Sequence, residues 1–137
     1  LIFGESRGRA KEEKIAVSCV VRNRLLAGIR DFGFSYHEII LKNDGVHYQF
    51  SPMNPSEIDN FPMLIDPLKS GDPVTALAWK DSYEVAWGVV SGKITDPTEG
   101  AVFFHSKDLS KDEFLKRVPR ALYLKEIGRF IFYGLRP

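Results

Sequence analysis

The sequence predicts an α+β fold, a helical body with a small antiparallel β-sheet, and three observations predict it. Apolar residues recur at helical spacing over 10–27 and again over 74–91. Two stretches rich in β-branched and aromatic residues, 46–50 and 101–105, lie between turn signals. The chain then closes on Leu122 to Ile127, Gly128 and Arg129 to Tyr133, the pattern of a terminal strand or hairpin.

Leu1-Ile2-Phe3 reads as the last turn of a helix whose beginning is missing, and Gly4 allows another chain or a ligand to approach the backbone closely. Ser6-Arg7-Gly8 breaks the pattern and leaves Glu5 in a tight turn at the helix end. From Ala10 the apolar residues return at Ile15, Ala16, Cys19, Val20 and Leu26, one face of a helix that stops at Gly28. A carboxyl group beside a buried helix is partly desolvated, which raises its pKa as a general acid working near neutral pH requires. Cleavage of glycosidic bonds is the reaction that most often uses a glutamic acid placed this way. A Glu near a helix end is more often only a solvated charge, so pattern alone leaves both readings of Glu5 open.

Ser35 and Glu38 have the spacing of a capping box and open a short helix through Leu41. Asn43-Asp44-Gly45 ends it, and Val46 to Phe50 reads as a strand closed by Pro52. Residues 52–73 hold five prolines, too closely spaced for a long helix. This predicts a loop with one short turn near Ser56-Glu57. It either walls a groove or covers core surface with Phe61, Met63, Leu64 and Ile65 tucked inward. Asp72-Pro73 starts the next helix, about Val74 to Ser91, with Ala78, Ser82, Val85, Ala86, Val89 and Val90 as its packing face. Trp79, Tyr83 and Trp87 form an adjacent stripe, suited either to the core or to stacking on sugar rings. Asp96 to Gly100 is a turn, and the strand Ala101 to His105 is expected to pair with 46–50. Ser110 and Glu113 open a helix that Pro119 ends.

At 137 residues the chain fits one domain with a sizeable core, and its 44% hydrophobic content gives neither a disordered bias nor an apolar run able to span a bilayer. Cys19 is the only cysteine, so no internal disulfide forms, and its place on an apolar helix face predicts packing. The balance of 19 basic to 18 acidic residues gives no argument for nucleic acid. No signal peptide is visible in the chain. His37, His47 and His105 stand in no nucleophile motif, and no HExxH or Cys/His cluster points to a metal, so no metal or other cofactor is expected.

Phe3-Gly4-Glu5-Ser6-Arg7-Gly8, followed by a helix ending in Val20-Val21-Arg22-Asn23-Arg24, resembles the signature of the SleB-type cell wall hydrolases. Two later stretches match the family pattern in the same order: Tyr48-Gln49-Phe50-Ser51, and Asp96-Pro97-Thr98-Glu99-Gly100-Ala101 leading into Phe103-Phe104-His105. The resemblance implies a lysozyme-like fold, with the helical body and the small sheet on opposite sides of a cleft, and a single catalytic domain over 1–137.

It further implies a peptidoglycan-degrading enzyme that cuts between N-acetylmuramic acid and N-acetylglucosamine. Glu5 would be catalytic, with Gln49, Phe50, Ser51, Phe104, His105, Tyr133 and Arg7 on the substrate-binding side. No second acid stands at an obvious motif position, which favours a lytic transglycosylase, with one Glu and a 1,6-anhydromuramic product, over a hydrolytic muramidase. A non-catalytic glycan-binding or assembly module that kept the cleft is the alternative from another class. The expected partner is the peptidoglycan strand, with no nucleic acid, no integral membrane segment and a monomeric state. The expected site of action is the cell wall or another extracytoplasmic place, spore cortex or phage-delivered included. One departure stands out: Phe130 lies where the family often has His.

Overall fold

The computed structural model describes residues 1–6, 9–56 and 64–137, of Ser6 the backbone alone. Helix α1 is Ile2–Ser6, α2 Lys11–Ala27, α3 Tyr36–Leu41, α4 Pro73–Val90 and α5 Lys111–Arg117, with a 3-10 turn at Ser51–Met53. Strands β1 Phe103–Ser106, β2 Ala121–Ile127 and β3 Phe130–Leu135 form one antiparallel sheet in the order β1-β3-β2. The predicted class, helices with a small antiparallel sheet, is the observed one.

Helix α2 is the centre of the body and buries residues on several sides. Ala16, Val17 and Val20 pack on the sheet through Ile127, Phe130 and Phe132. Cys19 meets Val85 and Val89 of α4, while Val21 meets Ile39 of α3 and Phe50. Leu26, expected on the packing face, is 70% exposed, because the helix has by then run past its neighbours to the left-handed cap at Gly28. At the other end Glu13 ties α2 down twice: one carboxylate oxygen accepts from the Ala10 N–H at 3.2 Å and the other from the Arg129 N–H at 2.7 Å.

Strand β3 is buried on both faces because it is the middle strand. Alternation sends Phe130 and Phe132 towards α2, and Ile131 and Tyr133 towards the second cluster with Phe32, Phe103 and Phe114. Phe130, at the position of the family's frequent His, sits edge-on to Phe104 with ring centroids 5.4 Å apart.

The predicted caps form. Ser35 and Ser110 accept from the N–H groups of Glu38 and Glu113, and Asp72 accepts from Val74 and Thr75. Glu38 reaches back to the Phe34 N–H rather than to that of Ser35. On α4 the buried residues are Thr75, Ala78, Ser82, Val85 and Val89, whereas Val90 faces out.

The strand expected at 46–50 is absent, and so is its pairing with 101–105. Asn43 and Asp44 explain this: their side chains accept the N–H groups of Gly45, Val46 and His47, which are then unavailable to a ladder. What forms is a tight loop held by the Gln49 N–H to Lys42 carbonyl bond and a bridge between Asn43 and Tyr48. The partner of β1 is β3 instead, in the register Phe103 to Tyr133 and His105 to Ile131. Of the predicted proline-rich loop, Glu57, Phe61 and Met63 lie outside the described residues. Leu64 is half-buried and Ile65 exposed.

Candidate functional site

Glu5 lies within the last turn of α1 rather than in a turn beyond it, its N–H bonded to the Leu1 carbonyl at 2.9 Å. Phe3 anchors the helix: it is buried, with its ring edge-on to Trp79 of α4 at 5.9 Å. Gly4 is the close approach expected of it, and the approaching group is Pro52 of this same chain. A Cβ on Gly4 would stand 2.6 Å from that of Pro52. The Gly before the Glu thus lets the 3-10 turn seat against α1. Burial pushes the Glu5 carboxyl up to about 7, against the opposing pull of Arg24. A group so poised is about half protonated at neutral pH, so a proton donor is present and the proton is readily given up.

Arg24 links Glu5 to the main cleft. This cleft, about 930 Å³, is lined by Arg24, Gln49, Phe103 and Phe104 among others, with Lys42, Arg117 and Arg120. Glu5 is not among its lining residues; the Arg24 guanidinium both lines the cleft and acts electrostatically on Glu5. Arg24 is 6% exposed and lies over the rings of Phe32 and Phe50. Its Nε donates to the Val102 carbonyl at 2.7 Å and its Nη1 to Gln49 Oε1 at 2.8 Å. Burial, then the charge of Arg120, pushes its pKa down to about 10, with Glu5 pulling the other way, so it stays cationic at neutral pH.

The third motif is the support for this arrangement. Asp96 Oδ1 accepts from the Thr98 N–H and hydroxyl, and Oδ2 accepts from Gly100 N–H and, at 2.8 Å, from Asn23 Nδ2. Burial alone would raise the Asp96 pKa, but these donors outweigh it and hold it below the usual carboxylate value. Asn23 also donates to the Ala101 carbonyl at 3.0 Å. The Asn-Arg pair at the end of α2 therefore fixes the turn and the start of β1, and with them one wall of the cleft.

The structure brings some of the expected site residues together and not others. Gln49 is exposed in the cleft, Phe104 is a half-buried part of its wall, and Phe50 is buried beneath it, stacked on Phe104 at 6.3 Å. Ser51 is exposed at the start of the 3-10 turn. His105 and Tyr133 are buried and do not line the cleft: His105 Nδ1 bonds the Ser106 carbonyl at 2.7 Å, so it carries the proton, and Nε2 accepts from the Tyr133 hydroxyl at 2.8 Å. Burial raises the Tyr133 pKa. Arg7 lies outside the described residues. Cys19 is buried, its thiol pushed up to about 12 chiefly by burial, and Tyr83 and Trp87 are exposed on α4. Sequence reasoning quoted Arg24 as a motif residue without giving it a place in the site, and missed Arg120. The signal for Arg24 was present in its pairing with Asn23.

A family profile described as cell wall hydrolase matches residues 8–133. The chain belongs to the cell wall hydrolase family. This cell wall hydrolase is therefore a peptidoglycan-acting enzyme, as the three motifs implied. The match begins three residues after Glu5 and so does not itself include it. Its fold is similar to the catalytic domain of the germination-specific lytic transglycosylase SleB from Bacillus anthracis, at 21% identity over 97% of this chain and 87% of that one, with a TM-score of 0.60. It is also similar to the catalytic domain of the Bacillus cereus SleB protein, at 18% identity over 97% and 83%, with a TM-score of 0.52. A search of curated proteins finds no matching relative. Among the described residues no helix is long and apolar enough to cross a membrane.

Proposed function

We propose that this cell wall hydrolase is a lytic transglycosylase that cuts peptidoglycan between N-acetylmuramic acid and N-acetylglucosamine, with Glu5 as its single acid/base. The observation that carries the reading is the Glu5 carboxyl, raised to about 7 by burial against the opposing charge of the cleft's buried Arg24. The fold it shares with a lytic transglycosylase supports it.

Glu5 gives its proton to the glycosidic oxygen as the bond to muramic C1 breaks, and N-acetylglucosamine leaves with a free hydroxyl. The resulting carboxylate then takes the proton of the muramic 6-hydroxyl while that oxygen bonds to C1. No water enters, and Glu5 ends protonated as it began. Arg24 favours the carboxylate that forms between the two steps, since its charge lowers the Glu5 pKa. Gln49 holds the sugar: its Oε1 is taken by Arg24, and its amide nitrogen has no partner among the described residues. Phe104 and Ser51 complete the sugar-facing surface, with Phe50 beneath them. His105 and Tyr133 act at one remove, by stiffening the core behind Phe103 and Phe114. The site of action is the extracytoplasmic wall or the spore cortex.

Mass spectrometry of the fragments released from purified peptidoglycan tests the reaction type. Anhydromuramic ends are expected. Reducing muramic ends would show hydrolysis, and with it a water-activating group that this reading does not contain.

A further inference from the structure

The cleft holds more positive charge than cleavage of a neutral sugar bond uses. Arg24 and Arg120 share the same two rings: the Arg24 Cζ is 5.1 Å from the Phe32 centroid and 5.8 Å from that of Phe103, and the Arg120 Cζ is 5.4 and 5.5 Å from them. Two like charges brought onto one pair of rings repel, and among the described residues no buried acid is ion-paired with either of them. Asp31 meets Arg120 Nη1 at 3.2 Å but is itself 70% exposed, where water and salt screen the pair. The buried Arg24 is bonded to two neutral acceptors.

Lys42 and Arg117 add two further cations to the wall, neither in an ion pair among the described residues. Asp44, the one acid lining the cleft among the described residues, is turned into its own loop and accepts from the Val46 and His47 N–H groups. Glu5 must be protonated to begin the reaction, and in that form offsets nothing.

We infer that the Arg24–Arg120 pair, with Arg117 and Lys42 beside it, is a subsite for a carboxylate carried by the glycan strand. The exposed Arg120 guanidinium suits a carboxylate, the buried Arg24 adds its charge behind it, and the aromatic rings keep both in place. This inference rests on the peptidoglycan reading above. In that polymer the carboxylate comes either from the lactyl group of muramic acid or from its peptide stem, and the subsite makes the enzyme prefer strands on which it is free.

Calorimetry with a disaccharide of N-acetylglucosamine linked to N-acetylmuramic acid tests this without turnover, because that disaccharide lacks the bond to be cut. Three forms serve as probes: with the lactyl carboxylate free, with a peptide stem attached, and with the stem's carboxylates all amidated. One of the first two is expected to bind the wild-type chain about tenfold more tightly than the amidated form, and which one identifies the source of the carboxylate. In the doubly substituted Arg117→Gln, Arg120→Gln chain, both sites being exposed, the advantage is expected to shrink to within about threefold. Equal binding of the free and amidated forms, no binding of any of them, or an advantage unchanged in the double variant would overturn the subsite. Clearing of whole sacculi, followed in parallel, reports separately on the enzyme. Selective binding without clearing would count against the transglycosylase alone, and clearing without selectivity against the subsite alone.

Discussion

Arg24 Nη1 and Gln49 Oε1 are joined by a 2.8 Å hydrogen bond that crosses from the last turn of α2 to the loop carrying Pro52. That loop in turn seats Pro52 on Gly4, one residue before Glu5. A single buried guanidinium therefore sets the cleft floor and acts on the proposed acid at once. Arg24→Lys keeps the charge but loses the fork and its position over the rings. Activity on sacculi is expected to fall about tenfold or more, and denaturant unfolding to show a loss of about 1–3 kcal/mol. A destabilised variant of unchanged activity would assign Arg24 to the fold alone.

Asn23→Ala removes the donor to the part-buried Ala101 carbonyl and leaves Asp96 Oδ2 with the Gly100 N–H. A loss of about 1–3 kcal/mol is expected in thermal or denaturant unfolding. Asp96 adds a pH signature. Its folded pKa lies below the unfolded value, so its contribution is present above pH 3.8 and is lost as the pH falls through the folded value. Asp96→Asn is therefore expected to lose less stability, relative to wild type, in acid than at neutral pH.

The fold was legible where side chains act locally. Ser35, Asp72 and Ser110 start their helices, Gly28 stops one, and the aromatic and β-branched run Phe130 to Tyr133 marks a strand. Composition misled at 46–50, where strand-forming residues lost to two side-chain acceptors at Asn43 and Asp44. For the site, the motifs pointed to the cleft loop and to Glu5. They could not say that His105 and Tyr133 turn away from the cleft to each other, since on an alternating strand only the pairing partner decides which face is covered. Arg120 was invisible for a similar reason: its neighbours Phe32 and Phe103 are distant in sequence.

Tyr133→Phe deletes the hydroxyl that His105 Nε2 accepts from and leaves a buried nitrogen unpaired. The expected cost is about 1–2 kcal/mol by denaturant unfolding, with activity per folded molecule changed by less than about threefold. A larger loss of activity at preserved stability would mean that the pair reaches substrate.

Gly128 turns β2 into β3 at φ +56, and a Cβ there would collide with the Glu13 carboxyl that holds the Arg129 N–H. Gly128→Ala combines left-handed strain with loss of that anchor, and a drop of about 2–4 kcal/mol is expected in equilibrium unfolding.

Glu5 itself should burden the fold. Its carboxyl rises from 4.5 to about 7 on folding, so its ionised form is disfavoured in the native state. The group's penalty is absent below pH 4.5 and grows as the pH rises to about 7. Glu5→Gln, which does not ionise, is expected to gain about 1–3 kcal/mol on wild type between those limits, as measured by unfolding across pH.

The central claim is that Glu5 is the acid/base, and the most direct test is the rate at which wild type and Glu5→Gln release soluble fragments from purified peptidoglycan across pH. The wild-type rate is expected to fall as the pH rises through about 7, where Glu5 loses its proton. The folded Gln variant is expected to lose about a hundredfold or more of that rate at every pH. A Gln variant that keeps its rate to within about threefold, with the same pH profile, would contradict the account and place the chemistry elsewhere in the cleft.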